Sequence, residues 1–234
     1  MYRGMYDSKH RFLGLSRQPS DRVRQYQKGL REKLLCHGCE QLFGRYENYA
    51  AQVFYGGANL LLGRKGKHFS IGGTDYKRLK LFFISLLWRF AVTSVDAFTG
   101  TELGPHMERL RTMLLTEDPG LCLTYPCLIT AITWKANHIG DLMVGPSRGK
   151  FEGHHIWQFV VAGFIFTFFV SSHSPPPAVA PGFLQADGSL LIEVREITEI
   201  DFLRRIAKDV VKAAQDQQGN RPFRRSVQTI PNAE

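Results

Sequence analysis

The chain has 234 residues, of which 44% are hydrophobic and 22% are charged, a composition that allows a globular protein to build its own core. Its four cysteines are too few for a disulfide scaffold of this length, and its first residues lack the apolar segment of a secretory signal. These features exclude a secreted, disulfide-stabilised protein and predict a soluble, cytoplasmic one.

The net charge of +9 is concentrated in the first third of the chain. Residues 1–80 contain 16 Lys and Arg against 6 Asp and Glu, whereas residues 81–234 contain 14 against 15. One-sided positive charge is typical of proteins that bind a polyanion, because neutralising phosphates releases counterions. The alternative is a solvated basic surface without a specific partner.

Sequence patterns in the first half predict mainly helices. Residues 1–19 are predicted to be a basic irregular arm, and a short helix is predicted over residues 20–30 with Ser20 as its cap. After Cys39, apolar residues recur every three or four positions as far as Phe54, which predicts an amphipathic helix ending at Gly56-Gly57. The basic, glycine-rich segment 58–76 is predicted to be a loop or hairpin.

Two further helices precede a segment of strands. Residues 77–95 are apolar on most sides and predict a central helix, and Pro105 opens a helix over residues 106–115. Strands are predicted over residues 127–134, 155–162, 164–171 and 190–197. The apolar run 159–170 belongs to the middle two strands, because it is shorter than the roughly 20 residues of a membrane-spanning helix. No membrane association is expected.

The end of the chain completes the predicted architecture. Residues 199–215 form an amphipathic helix pattern, and residues 216–234 are predicted to be a disordered tail. The sequence therefore predicts an α+β protein with a helical N-terminal half, an antiparallel β-meander and a C-terminal helix. One domain is expected over residues 20–215, mainly helical over 20–118 and mainly β over 119–215.

The most suggestive chemical feature is the pair Cys36 and Cys39. Two thiolates at this spacing at the start of a helix can chelate one Zn²⁺. The alternative is a pair of free thiols packed under the helix. Redox chemistry of the thioredoxin type is disfavoured, because the Cys-x-x-Cys motif there follows a strand in a βαβ unit that is not predicted here.

The residues around this pair resemble a known family. Residues 28–40 (KGLREKLLCHGCE), 86–89 (LLWR) and 103–106 (LGPH) are similar to uncharacterised bacterial proteins related to HNH-type, treble-clef endonucleases. The resemblance covers about half of the chain, from about Tyr6 to Pro119. The resemblance implies that the α+β fold contains part of a treble clef. The helix of this motif would carry Cys36 and Cys39 as zinc ligands.

The chain also departs from the HNH pattern. No Cys and only one His, His10, precede Cys36, so the first zinc knuckle and the general-base His of the motif are not found. Glu40 occupies the position after the second Cys where these enzymes usually carry His or Asn. The resemblance thus implies an HNH-like zinc-binding protein that contacts nucleic acid, with DNA expected and a degenerate or truncated metal-dependent endonuclease as its enzymatic form. A truncated N-terminus would explain the missing knuckle.

Basic residues near aromatic ones are the candidates for phosphate contacts. They are Arg22, Arg24, Lys28, Arg31, Lys33, Arg64, Lys65 and Lys67. No motif that reads base edges is recognisable. The alternative function is a non-enzymatic interaction or scaffold protein whose basic N-terminal surface binds an acidic protein.

Arg89 and the remaining cysteines are predicted to be structural. An unpaired guanidinium inside an apolar helix is costly, so Arg89 is expected to form an ion pair. Its candidate partners are Glu40, Glu47, Asp96 and Glu102. Cys122 and Cys127 are predicted to be buried free thiols, with a four-cysteine metal site as the alternative.

Overall fold

The structure is a computed structural model that describes residues 12–15, 24–26, 32–95, 98, 100–201 and 203–205. Its helices are α1 (His37–Tyr55), α2 (Tyr76–Val92) and α3 (His106–Leu115). Its strands are β1 (Phe12–Leu15), β2 (Arg24–Tyr26), β3 (Leu61–Lys65), β4 (His68–Gly72), β5 (Cys127–Trp134), β6 (Asn137–His138), β7 (Leu142–Phe151), β8 (His154–Val161), β9 (Phe164–Phe169) and β10 (Leu190–Glu196). Two short 3₁₀ helices span Pro177–Gly182 and Ile197–Glu199.

The strands form one sheet in the order β2-β1-β7-β8-β9-β5-β10-β4-β3, with β6 paired only to β5. Neighbours along this path are antiparallel except for two parallel pairs, β1 with β7 and β5 with β10. The predicted mixed α+β class, with a helical N-terminal part and a mostly antiparallel sheet, is therefore confirmed. The simple meander is limited to β7, β8 and β9, because β10 enters beside β5 rather than at an edge.

The helices cover one face of the sheet, which we call the helix face. Side chains alternate between faces along a strand, so every second residue of β8 and β9 points at the helices. Phe159 packs against Phe90 of α2 with ring centroids 4.0 Å apart, and Phe164 packs against Phe54 of α1 at 5.1 Å. The central helix α2 is buried on most of its circumference, as its sequence predicts.

The opposite face is covered over β7, β8, β9 and β5. Ile132, Val160 and Ile165 pack there with Ile200 and Leu203 of the C-terminal segment. Phe169 packs on Phe183 with centroids 5.5 Å apart. The apolar run 159–170 is therefore buried on both sides as two strands, which confirms its interpretation as part of the core.

Four sequence predictions require correction or fall outside the described residues. The short helix predicted over residues 20–30 is wrong at Arg24–Tyr26, which pair with β1 as strand β2. The arm predicted to be irregular contains β1, which is held by its parallel pairing with β7. Helical structure is described at residues 201 and 203–205 only, so most of the helix predicted over 199–215 lies outside the description, as does the tail 216–234.

Candidate functional site

The cysteine pair lies at the exposed start of α1. Cys36 immediately precedes the helix and is exposed, whereas Cys39 lies in the first turn and is half-buried. The spacing of three residues places both side chains on one side of the first turn. The N–H of Glu40 donates to the carbonyl of Cys36 at 2.9 Å and closes this turn.

The start of α1 affects the two thiols in opposite ways. As a neutral thiol, Cys36 makes no capping hydrogen bond. The backbone N–H of Cys39, the Cys39 thiol and the N–H of Gly38 nevertheless favour its thiolate and lower its pKa. The pKa of Cys39 is raised by its hydrogen bond to Cys36 and by burial. The pKa of Cys36 is therefore shifted below, and that of Cys39 above, the value of an ordinary thiol.

The pair supplies two ligands for a metal, and structural zinc takes four. Among the residues that the structure describes, no group of three or more His, Cys, Asp or Glu side chains is arranged to hold a metal ion. All four cysteines are described, so this finding overturns the four-cysteine alternative with Cys122 and Cys127. The described donors do not fit a structural zinc site, and zinc at Cys36 and Cys39 stays a prediction that requires ligands from elsewhere.

Three of the predicted phosphate-binding residues lie on the exposed β3–β4 hairpin. Lys67, in its turn, donates to both carboxylate oxygens of Glu199 at 3.0 Å, so its charge is already neutralised. Arg64 and Lys65 have no carboxylate within ion-pairing distance in the described part of the chain. They are the free cations of this hairpin.

The other predicted phosphate-binding residues are not brought to this hairpin by any described contact. Lys33 is exposed on the rim of a cleft between α1 and α2. Arg24 belongs to β2, but its side chain is outside the described set. Arg22, Lys28 and Arg31 lie outside the described residues altogether.

A second surface was not predicted from the sequence. Beyond β5, the side chains of β10, β4 and β3 that point away from the helices are exposed or half-exposed. Strand register aligns Lys65 with His68, and His68 with Glu193. Arg195 lies beside Ile132 of β5, and Trp134 follows on the same side of that strand. We call this surface the open sheet face; its members are Lys65, His68, Ser70, Glu193, Arg195 and Trp134.

Trp134 is held at the end of the open sheet face by a tight turn. The turn residues Lys135 and Ala136 both have positive φ, at 49° and 65°. The carboxylate of Glu196 accepts hydrogen bonds from their backbone N–H groups, at 3.2 and 2.9 Å. The indole remains 49% exposed, and the Lys135 ammonium lies 5.9 Å from its centroid. An exposed aromatic ring is thus fixed beside a cation.

Sequence reasoning missed the open sheet face because its residues come from separate segments. The available signal was the pattern of residues 190–196, in which Glu193 and Arg195 alternate with Ile192 and Val194. This alternation is typical of a strand with one solvent-facing side. The contribution of β3, β4 and β5 depends on long-range pairing and leaves no comparable local pattern.

Arg89 lies in the wall of a cleft of about 740 Å³ between α1 and α2. It forms an ion pair with Glu47, one of its four candidate partners, and both side chains are about a quarter exposed (25% and 27%). The guanidinium also lies 5.4 Å from the ring centroid of Phe43. Its Nε has no hydrogen-bond partner among the described atoms. This arrangement joins α1 to α2 and suits the structural role predicted for Arg89.

A buried lysine lies on the opposite side of α2 from this ion pair. Lys80 is 2% exposed, and its Nζ donates to the carbonyls of Tyr125 and Cys122 at 3.3 and 3.4 Å. Burial lowers the pKa of Lys80 to about 8. Cys127 is buried nearby, and burial raises the pKa of its thiol. The prediction that Cys122 and Cys127 are buried free thiols is confirmed for Cys127. Cys122 is also a free thiol, but it is only half-buried.

Comparisons of this chain with profiles of protein families, with curated proteins and with solved structures gave no match. The resemblance to HNH-type endonucleases therefore stays a prediction from the residues themselves. The helices that the structure describes include none with the length and apolar character needed to cross a bilayer.

Proposed function

We propose that this chain binds single-stranded nucleic acid on the open sheet face. The observation that carries the proposal is the exposed ring of Trp134 at the end of a surface that also holds Lys65, His68 and Arg195. Aromatic rings stack on bases of any sequence, and neighbouring cations bind the phosphates between them. A sheet face with this composition supports binding without sequence specificity.

The dimensions of the open sheet face suit a short stretch of one strand. Three strand spacings of about 4.8 Å separate β3 from β5, which gives roughly 14 Å across the face. This width limits contact to a few nucleotides of an extended single strand. Lys65 and Trp134 lie at opposite ends of that width.

The charge around the open sheet face is positive. Four cations lie on it or at its rim, against three carboxylates: Lys65, Lys67, Lys135 and Arg195 against Glu193, Glu196 and Glu199. Glu196 and Glu199 are bound to protein groups, and Glu193, on the face itself, lies 3.7 Å from the guanidinium of Arg195. Phosphates should therefore gain from counterion release at this surface.

The HNH-type resemblance makes DNA the expected nucleic acid. It also makes a metal-dependent endonuclease the expected enzymatic form, but the motif's general-base His is not found in the sequence. Our proposal is therefore binding. The competing function is a scaffold whose basic surface binds an acidic protein.

The test is a titration of a fluorescent oligothymidine with the full chain, followed by anisotropy at several salt concentrations. Lys65→Ala and Arg195→Ala should each weaken binding and reduce the slope of log K against log salt by about 0.7, the value for one lost phosphate contact on a single strand. Trp134→Ala should leave this slope unchanged but cost about 1–3 kcal/mol, because it removes stacking.

Lys150→Ala is the matched control, since Lys150 is exposed on β7, away from the open sheet face. It should bind like the unaltered chain. Equal losses for Lys150→Ala and Lys65→Ala would show binding by overall charge and refute the assignment to this face. If neither DNA nor RNA binds at low salt, the acidic-protein alternative replaces the proposal.

A further inference from the structure

We infer that the outer edge of β3 binds an extended acidic peptide as an additional strand of the sheet. Three features of this edge carry the inference. No described strand pairs with its outer side, two leucines on it are mostly exposed, and the two cations that follow them have no carboxylate partner in the described part of the chain. An edge strand with unpaired backbone groups is a template for pairing with a second chain.

The backbone of β3 presents hydrogen-bonding groups to this edge. The N–H of Val194 donates to the carbonyl of Lys67, just before β4, at 2.7 Å, so the odd-numbered residues of β4 bond to β10. The even-numbered residues of β4 therefore bond to β3, where the register pairs them with positions 61, 63 and 65. The N–H and C=O groups of Leu62 and Arg64 are left pointing outwards, and an added strand would satisfy all of them.

The side chains along β3 change from apolar to basic. Leu61 and Leu62 are 78% and 62% exposed. Gly63 separates them from the cations Arg64 and Lys65, which are exposed as well. Alternation along the strand places one leucine and one cation on each side of the sheet. Both sides of the edge therefore offer the same chemistry to a neighbouring strand.

The chemistry of the partner strand follows from this order of side chains. Residues directly opposite each other on antiparallel strands point to the same side and are in contact. A peptide that runs antiparallel to β3 would therefore place carboxylates opposite the two cations and apolar side chains opposite the two leucines. From its N-terminus, such a segment has two acidic residues, a small or polar residue opposite Gly63, and two apolar residues.

Charge decides between this partner and a second copy of the chain. Two copies could pair along β3 with Gly63 at the two-fold axis, which would set the leucines of one copy against the cations of the other. That arrangement would bring Arg64 and Lys65 of both copies together without a carboxylate, and like charges that are close together oppose association. An acidic segment neutralises these cations instead.

The test is an anisotropy titration of the peptide fluorescein-Glu-Glu-Thr-Val-Ile-amide with the full chain, which should saturate below about 1 mM. The Val nitrogen of the peptide faces Leu62, whereas its Thr nitrogen points away from β3. N-methylation of the Val nitrogen should weaken binding about ten-fold or more, because it removes a hydrogen bond and inserts a methyl group between the strands. N-methylation of the Thr nitrogen should leave binding almost unchanged. No saturable binding, or equal effects of the two methyl groups, would overturn the inference.

Arg64→Glu tests the charge of the edge independently of nucleic-acid binding, because Arg64 points to the side of the sheet opposite the open sheet face. It should weaken binding of the acidic peptide about five-fold or more and strengthen binding of fluorescein-Glu-Lys-Thr-Val-Ile-amide, whose Lys lies opposite position 64.

Lys150→Glu, on β7, makes the same change of charge away from this edge and is the matched control. It should alter neither titration. Equal losses for Arg64→Glu and Lys150→Glu would show attraction by overall charge and would overturn the inference. A dimer of the chain in sedimentation equilibrium that competes with the peptide would also overturn it, because a second copy would then occupy the edge.

Discussion

Lys80 is the residue whose ionisation should affect stability most. It is buried in the second turn of α2, and its ammonium is held by two carbonyl groups, with no carboxylate paired to it in the described part of the chain. Burial lowers its pKa from 10.5 to about 8, so the folded chain binds the proton less tightly than the unfolded chain. The charged form therefore destabilises the fold, by about 3 kcal/mol from a value of 1.36 kcal/mol for each pKa unit.

This cost should be present in full below pH 8 and should disappear as the pH rises to about 10.5. We expect the free energy of unfolding of the unaltered chain to rise over this interval relative to Lys80→Met, which cannot titrate. Urea unfolding at several pH values measures the difference between the two chains. Lys77→Met, on the exposed side of the same helix, is the control and should follow the unaltered chain. Parallel curves for the unaltered chain and Lys80→Met would contradict the prediction.

Single residues also illustrate what burial arguments can predict. An arginine within an apolar helix requires a carboxylate wherever the fold provides one, so the need of Arg89 for a partner followed from its sequence context. The choice of Glu47 depends on how α1 lies against α2. The cost of burying Lys80 could have been stated in the same way, but its partners are backbone carbonyls, which every segment possesses.

At the level of elements, the β8–β9 hairpin depends on its turn at Ala162 and Gly163. Both residues have positive φ, at 54° and 72°. A Cβ at position 163 would overlap the carbonyl oxygen of Ile139. The backbone of Gly163 also donates to Leu142 O at 3.2 Å and accepts from Ile132 N at 2.9 Å. Gly163→Ala should therefore cost more than the roughly 1–2 kcal/mol of a left-handed conformation alone.

Gly153→Ala separates the two contributions to this cost. Gly153 lies in the β7–β8 turn with a φ of 82°, and an added Cβ would meet no atom within 4 Å. Urea denaturation should show a loss of about 1–2 kcal/mol for Gly153→Ala and a clearly larger loss for Gly163→Ala. Equal losses would mean that the backbone at Ile139 moves away from the added Cβ at no cost in stability. The close contact between Gly163 and Ile139 would then be unimportant.

Elements with a strong local period were predictable from sequence, and those without one were not. Helix α3 and strand β5 were predicted with the bounds that the structure has, because their apolar residues recur at helix and strand spacing. Strand β7 was missed because Gly145 and Pro146 resemble a turn; the pairing with β8 instead shifts register between Val144 and Ser147. Proline lacks the N–H that a regular ladder needs, so it is tolerated at such an irregularity.

At the scale of the whole molecule, the cysteine pair and the open sheet face differ in how far their positions could be predicted. The cysteine pair is local, so its position at the start of an aromatic-rich helix follows from a few neighbouring residues. The open sheet face joins Lys65, Trp134 and Arg195, which are far apart in sequence. These three residues share one surface only because β10 lies between β5 and β4, parallel to the first and antiparallel to the second. Nothing in a single sequence fixes that order of strands.

The same topology predicts that the two sites act independently. Helix α1 lies on the helix face, whereas the open sheet face points away from the helices, so the sheet itself separates them. Separated sites without shared contacts usually couple by no more than about 0.5 kcal/mol, roughly a two-fold change in affinity. Alkylation of the exposed Cys36 should therefore leave both the affinity for oligothymidine and its salt slope almost unchanged.

The measurement is an anisotropy titration of the chain before and after alkylation, with alkylated Cys36→Ser as the control that has no thiol at this position. Alkylation changes only the start of α1 and moves no cation of the open sheet face, so the three titrations should coincide. A change of ten-fold or more that is absent from Cys36→Ser would refute independence. It would mean that the start of α1 affects the open sheet face through the sheet, because the sheet is the only described layer that contacts both sites.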